Sequence, residues 1–197
     1  MPEEPVWIFM ADANVTKEAL ADSLKKLMKE KPFEKISVID ICEGCGMNRK
    51  SFYYHFKDKY DLVNWIFYTD FILTVSGQHF DSGWELLAAT VEMFSRDRSF
   101  YKCALEIEGQ NSFRDYFFES TLPIFELFMP RSEGETEEER MISIHYLSAA
   151  FLTILYEWLE EGKKQTAREF IESLRHLVQK LAQTNSLWLS GAKKQLM

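Results

Sequence analysis

A chain of 197 residues, 46% of them hydrophobic and 16 of them Phe, carries enough apolar side chain for a sizeable core in one large or two small domains, which excludes an intrinsically disordered chain. The net charge of −8 excludes a protein that coats nucleic acid indiscriminately, but the charge is uneven: residues 16 to 60 hold ten Lys or Arg against seven Asp or Glu, whereas residues 61 to 197 hold 13 against 21. Three Cys, an odd number beside a large core, point to a reducing cytoplasm and not to a disulfide framework.

No run of 18 apolar residues occurs, and the opening MPEEPVWIFMADANV is acidic with a short apolar patch, so neither a membrane span nor a signal peptide is expected. Gly and Pro number 8 and 5, and no long stretch alternates apolar with polar residues, which predicts an all-α fold of about nine helices. Five helix starts carry a hydroxyl residue with an acid three positions later: Ser37 with Asp40, Ser82 with Glu85, Ser112 with Asp115, Thr136 with Glu139 and Thr166 with Glu169. Such pairs satisfy the orphan amides of a helix N-terminus. The predicted helices cover 16–31, 37–44, 48–55, 59–77, 82–96, 98–109, 112–128, 136–161 and 166–185.

In chain order, residues 1–15 form an N-terminal extension in which Trp7, Ile8 and Phe9 either pack on the neighbouring helices or belong to a disordered arm. The helix 16–31 sets Leu20, Leu24, Leu27 and Met28 on one face and ends before Pro32, while Lys25, Lys26, Lys29 and Lys31 read as a solvated face. Residues 36 to 59, ISVIDICEGCGMNRKSFYYHFKDK, are the most informative stretch. A short helix buries Ile36, Ile39 and Cys42 with Val38 and Ile41, Gly46 permits a reversal, and a second short helix crowds Asn48, Arg49, Lys50, Ser51, Tyr53, Tyr54 and His55 around Phe52 and Phe56. This is the pattern of a helix-turn-helix, and it assigns residues 16–60 to DNA binding. Cys42 and Cys45 read as packing: a structural zinc needs four ligands, and a redox Cys pair opens a helix instead of closing one.

The helix 59–77 holds Leu62, Val63, Trp65, Ile66, Phe67, Phe71 and Ile72 around most of its circumference and is expected between two layers. Beyond it the chain is rich in aromatics, most of them core. A small-molecule site among these helices would use Trp65, Tyr68, Phe94 and Tyr101, with polarity from His79, Cys103, Glu106 or Gln110, although each of those four is more simply a surface or capping residue. Residues 130–140 form a polar loop that opens a helix, whose glutamates complement the helix dipole. The last two long helices carry apolar stripes, Ile144, Leu147, Ala150, Phe151, Ile154, Leu155 and Trp158, then Phe170, Ile171, Leu174, Leu177, Val178 and Leu181. Paired across a two-fold they would make a four-helix bundle; alternatively they face only their own core.

The order of these motifs, Ile-Ser-Val-x-Asp-Ile, then Gly-Met-Asn-Arg-Lys-Ser-Phe-Tyr-Tyr-His-Phe, then Lys-Asp-Lys-x-Asp-Leu, resembles the TetR family of bacterial transcription regulators over residues 16 to 66. Trp65, Ile66, Asp70 and Phe71, with Glu-Trp-Leu-Glu-Glu-Gly at 157–162, are similar to the subgroup containing the dihydroxyacetone kinase activator. The resemblance implies an all-α homodimer, with residues 61–197 as the regulatory and dimerisation domain holding a small-molecule effector. It places Ser51, Tyr53, His55 and Lys59 on phosphates and Tyr54 near a sugar or thymine methyl. Arg49 suits a base edge and Lys50 a base or the adjacent phosphate. Thr16 and Ser37, at the starts of the first two helices, either offer hydroxyl and amides to the DNA backbone or act as plain N-caps.

The function expected is a DNA-binding transcription regulator, a repressor by family habit, with double-stranded DNA as partner, no catalytic residue, no metal and no cofactor. The alternative is an activator, or a regulator controlled by a protein partner. An enzyme lacks support, since no Ser-His-Asp order, Gly-rich phosphate loop or metal-ligand cluster stands out.

Overall fold

The computed structural model describes residues 6–160 and 165–195, with side chains described between 14 and 181 apart from 128 and 161–164. Among the described residues there are nine α-helices, one 3-10 turn and no strand. They are α1 (Val6–Glu30), the turn Phe33–Lys35, α2 (Val38–Gly44), α3 (Arg49–His55), α4 (Lys59–Val75), α5 (Gly83–Arg96), α6 (Arg98–Leu105), α7 (Phe113–Phe128), α8 (Glu137–Glu160) and α9 (Ala167–Gln195).

The caps explain most of these starts. Ser37, Thr136 and Thr166 each form the reciprocal box, hydroxyl to the amide three residues on and carboxylate back to the cap amide. Ser112 makes only the forward half, accepting from the Asp115 amide at 3.2 Å. Ser82 makes no side-chain cap, and Glu85 accepts instead from the Asp81 amide.

Three helix boundaries differ from expectation by more than two residues; one is the end of α9, which runs on to Gln195 and does not stop at 185. α1 begins at Val6, so Thr16 sits inside a helix and not at its N-terminus. The residue three beyond Thr16 is Ala19, which cannot return a cap bond, and no Gly or Pro between Val6 and Thr16 interrupts the helix. The side chains of Trp7, Ile8 and Phe9 lie outside those described. α6 closes at Leu105 and not at 109, and the chain then turns through Gly109 and Asn111, both at positive φ.

α1, α2 and α3 form a head and α5 to α9 a body, with α4 packed into both. Leu20, Leu24, Met28, Ile41, Phe52 and Phe56 of the head join Leu62, Val63 and Ile66 of α4, and the same cluster runs on through Phe67 to Phe94, Tyr101, Phe113 and Phe117 of the body. A domain boundary at 60/61 therefore falls inside the first turn of a continuous helix. α4 is less enclosed than its sequence suggests: Tyr68, Ile72 and Leu73 open to solvent in its second half.

α8 packs on α7 and α6, and α9 packs on α5. Most of the expected stripe on α8 is core: Ile144, Phe151, Leu155 and Trp158 are buried, as are Phe170 and Ile171 at the start of α9. The apolar residues these helices leave open are Met141, Ile142 and Tyr146 on α8 and Leu177, Val178 and Leu181 on α9. By length and composition α8 could cross a membrane; Phe151, Leu152, Leu155, Trp158 and Leu159 in its second half are given to the core against α6 and α7.

Two arginines close helix ends from outside. Arg140 donates to the carbonyls of Glu126, at 2.8 Å, and Met129 at the end of α7, and Arg98 donates to those of Trp158 and Leu159 at the end of α8.

Gly44 lies where α2 crosses α1, and a Cβ there would collide with Ser23 Oγ, which donates to the Ile41 carbonyl at 2.7 Å in the buried seam. Gly44→Ala should therefore lower the unfolding free energy by about 1 to 2 kcal/mol, in spite of the better helix propensity of Ala. Adding Ser23→Ala to it should recover stability, because the colliding oxygen is gone. Urea midpoints at constant slope measure both, and a Gly44→Ala chain as stable as the parent would contradict the close approach.

Candidate functional site

The face that could meet DNA is built by two short helices and the turn between them. Ser37 starts α2: its amide donates to the Asp40 carboxylate at 2.7 Å and its hydroxyl at 2.9 Å, while the Asp40 amide returns at 3.2 Å. Those bonds, the Ser37 amide first and Lys31 at 3.0 Å next, hold the Asp40 carboxyl at about 2, below its ordinary 3.8. α2 then ends in a Schellman turn, with Met47 N–H to Cys42 O at 2.8 Å, Gly46 N–H to Glu43 O at 3.3 Å, and Gly46 itself at φ +67°. Cys42 is buried and the Cys45 thiol donates to the Ile41 carbonyl at 3.4 Å; burial pushes both thiols above their usual range, so they stay protonated and pack.

Asn48 caps α3, its oxygen accepting from the Ser51 amide at 2.9 Å. Phe52 and Phe56 point inward and are buried. Arg49, Lys50, Tyr53 and Tyr54 point outward; Tyr54 is 83% exposed and Tyr53 half exposed. Phe52 and Phe56 occupy the inward positions, so Tyr54 is left to solvent and Tyr53 only rests edge-on against the Phe52 ring at 5.4 Å. Arg49 Nη2 lies 3.5 Å from the Tyr53 hydroxyl, and its guanidinium 5.7 Å from that ring, an i, i+4 pair that holds the arginine along the exposed face.

The remaining expected contacts are spread around this face. Ser51 and His55 are half-buried on α3. His55 stands edge-on to Tyr54 at 4.9 Å, and burial first, then Lys17, lower its pKa below the ordinary value. Ser37 is exposed but its hydroxyl is engaged within the cap. Thr16 is half-buried within α1. Lys59 is turned inward: Nζ donates to the carbonyls of Phe33 at 2.7 Å, Ile36 at 2.8 Å and Glu34 at 3.4 Å, and rests 4.2 Å over the Phe33 ring. Three carbonyls use all three of its N–H donors, so this ammonium ties the start of α4 to the turn that leads into α2. Lys25 is likewise no solvated lysine, since it pairs with Asp70 of α4 and with Asp97 of the body.

In the body a cavity of about 290 Å³ lies between α4, α5, α7 and α8. Phe67, Tyr68, Phe71, Leu87, Tyr116, Phe117, Ile124 and Phe151 supply an apolar wall, with hydroxyls from Thr90, Ser120 and Thr121 and no charged side chain. Those three hydroxyls donate to carbonyls of their own helices, Leu86, Tyr116 and Phe118, at 2.7 to 2.8 Å. Of the four aromatics expected at a ligand site only Tyr68 lines this cavity. Phe94 and Tyr101 are core, stacked at 4.2 Å, and Trp65 stands 5.7 Å from Phe56 in the seam between head and body. His79, Cys103, Glu106 and Gln110 are absent from its lining. The signal that could have located it is the row of small hydroxyl residues, Thr90, Ser120 and Thr121, set among large apolar ones.

A capped two-helix reader with a basic, aromatic outer face, carried on a long helix into an all-helical body, defines a DNA-binding transcription regulator of the helix-turn-helix class. The chain belongs to the TetR family: residues 20–66 match the bacterial regulatory proteins of the tetR family and residues 84–180 match a transcriptional regulator C-terminal region. It is 25% identical over 159 residues to the HTH-type dhaKLM operon transcriptional activator DhaS of Lactococcus lactis, covering 78% of this chain and 84% of that protein. The fold is shared with the solved dihydroxyacetone kinase operon activator DhaS (TM-score 0.61, 20% identity, 88% of this chain and 97% of that one). It is shared also with a TetR transcriptional regulator from Streptococcus agalactiae (0.63, 18%, 88% and 99%) and with NalD, the secondary repressor of the MexAB-OprM multidrug efflux pump in Pseudomonas aeruginosa (0.59, 18%, 86% and 96%).

The geometry of the head has two measurable consequences. Asp40 has a lowered folded-state pKa, so its cap contributes stability above pH 3.8 that is lost as pH falls through about 2. Asp40→Asn should be less stable at neutral pH and show a shallower loss over that acid window, as read by thermal unfolding against pH. Lys59→Met should cost about 1 to 2 kcal/mol in urea unfolding, because the Ile36 carbonyl loses its charged donor while Phe33 keeps the Ile36 amide and Glu34 turns to water, and it should leave the salt dependence of DNA binding unchanged; a slope reduced by roughly 0.9 would mean that the lysine neutralises a phosphate.

Proposed function

We propose that the chain is a homodimeric repressor that reads a pseudopalindromic operator and releases it when a small molecule enters the body cavity. The observation that carries this reading is the arrangement of α3: Phe52 and Phe56 bury one side, and Arg49, Lys50, Tyr53 and Tyr54 are left open on the other. Arg49 reads a base and Lys50 a base or the adjacent phosphate, with Asn48 beside them. Ser51, Tyr53 and His55 set register on phosphates, Tyr54 meets a sugar or thymine methyl, and Thr16 and Ser37 lie at the backbone. Residues 16–60 act as the reader and 61–197 as the regulatory and dimerisation part, with 1–15 as an extension, all in the cytoplasm where bacterial DNA is held.

Dimerisation uses the open apolar residues Met141, Ile142 and Tyr146 of α8 and Leu177, Val178 and Leu181 of α9. The uncharged aromatic cavity favours a neutral, largely apolar effector over a phosphate or carboxylate, whose charge nothing in its wall would offset. Such a ligand wedges between α4 and α7, and α4 carries the Lys59 anchor of the reader. A second reading, transcriptional activation, is favoured by the activator role of the DhaS relative.

Selecting binding sites from random DNA with the purified protein tests the reading. An inverted repeat should emerge, and Arg49→Ala should relax preference at one base position of each half by roughly ten- to a hundredfold while the others persist. A reporter behind the selected site should fall silent when the protein is present and recover with a neutral aromatic effector; a reporter that rises with the protein indicates the activator. Unchanged preference in Arg49→Ala would sink the assignment of α3.

A further inference from the structure

Where head meets body, one lysine of α1 is held both by the linking helix α4 and by the start of α6. Lys25 Nζ lies 3.3 Å from Asp70 Oδ2 on α4 and 3.2 Å from Asp97 Oδ2, the residue between α5 and α6, with the Phe100 ring centre 5.0 Å away. Asp70 is itself oriented, because the Tyr101 hydroxyl donates to the same oxygen at 2.5 Å. Tyr101 is buried on the Phe94 stack, and burial first and the Asp70 charge next push its phenol far up, so it stays a donor.

The residue after Asp97 reaches the opposite way. Arg98 Nε donates to the Leu159 carbonyl at 3.2 Å and Nη2 to that of Trp158, and the guanidinium lies 4.3 Å over the Trp158 ring. Two consecutive residues at the start of α6 thus hold α1 with one side chain and the end of α8 with the next. Beside them an open polar cavity of about 450 Å³, lined by Lys25, Lys29, Asp70, Thr74, Arg96 and Asp97, admits water and ions to the pair.

We propose that Asp97 and Arg98 form a joint that sets the angle of the DNA-reading head on the dimerisation helix, with Lys25 as a positioning residue for α3. The joint presupposes the dimer through α8 and α9 proposed above. In such a dimer the distance between the two α3 helices depends on how each head is fixed to the shared bundle. α4 attaches the head along one line, and the packing of α1 on α6 is the second attachment; within it the Lys25–Asp97 pair, continued through Arg98 to α8, fixes the rotation of the head about α4. The side chains of Lys25, Asp70 and Asp97 are 22%, 31% and 27% exposed, so the pairs are part-buried and their loss lowers stability as well as freeing the head. The geometric effect is read in operator spacing, since a two-headed reader recognises half-sites at the separation its heads hold.

The test uses the full chain and duplexes carrying two copies of the selected half-site at a series of separations. The wild type should bind one separation in preference to its neighbours. Lys25→Met and the isosteric Asp97→Asn, each still folded at the temperature of the assay, should lose that preference and bind neighbouring separations nearly alike, with the half-site sequence preference of the parent. Lys25→Arg should retain it. Folded Lys25→Met and Asp97→Asn chains with the parental spacing preference would overturn the joint while leaving the dimer intact. A wild type that binds every separation alike would overturn the dimer reading, and the joint with it.

Discussion

Seven residues make too few internal hydrogen bonds to offset the cost of nucleating a helix, so α3 persists only through what surrounds it. Phe52 and Phe56 bury one side, each worth on the order of 2 to 3 kcal/mol in removed apolar surface. Asn48 closes its start and the Schellman turn at Gly46 fixes the direction from which it is entered. Because anchoring is concentrated in two side chains and a cap, the outer positions are released from any structural duty. That is why Arg49, Lys50, Tyr53 and Tyr54 can be chosen for what they touch outside the protein.

The same economy makes α4 the central element of the molecule. Its first turn holds the head through Lys59 and the Phe33 to Ile36 carbonyls, and its middle turn places Phe67 in the core and in the cavity wall at once. Phe67 touches Phe94, Phe113 and Phe117, and Phe94 stacks on Tyr101, which bonds Asp70. Packed aromatic rings of this kind rearrange in steps and not by smooth deformation. Under the proposed function, a ligand that displaces Phe67 would act on residues that hold the head, through Phe94, Tyr101 and Asp70.

Much of this is legible in the chain because element starts are local chemistry. Ser37, Asn48, Ser112, Thr136 and Thr166 announce their helices through bonds made within three residues, and the Phe52 and Phe56 spacing names the buried side of α3. The features that a sequence hides depend on residues distant along it. Lys59 reads as a phosphate contact because the pattern around it is shared with proteins that bind DNA, but the carbonyls that take its hydrogens lie 23 to 26 residues earlier. Lys25 reads as solvated because its acidic partners lie at 70 and 97. Phe94 and Tyr101 read as pocket walls because periodicity reports that a side chain is inward, not whether the space before it is filled. The cavity exists where small hydroxyl residues leave a gap, and a gap has no letter in a sequence.

A head held this way is not an interchangeable module. Its core closes only with Leu62, Val63 and Ile66 from α4, its turn is pinned by Lys59, and its flank is bonded to Asp70 and Asp97. Grafting the reader of a relative onto this body would have to carry the first half of α4 with it and supply a cation where Lys25 stands. Under the proposed function, the operator preference of this chain would change through the open side chains of α3 alone, whereas a whole new head would have to agree with the seam at Leu62, Val63, Ile66, Asp70 and Asp97.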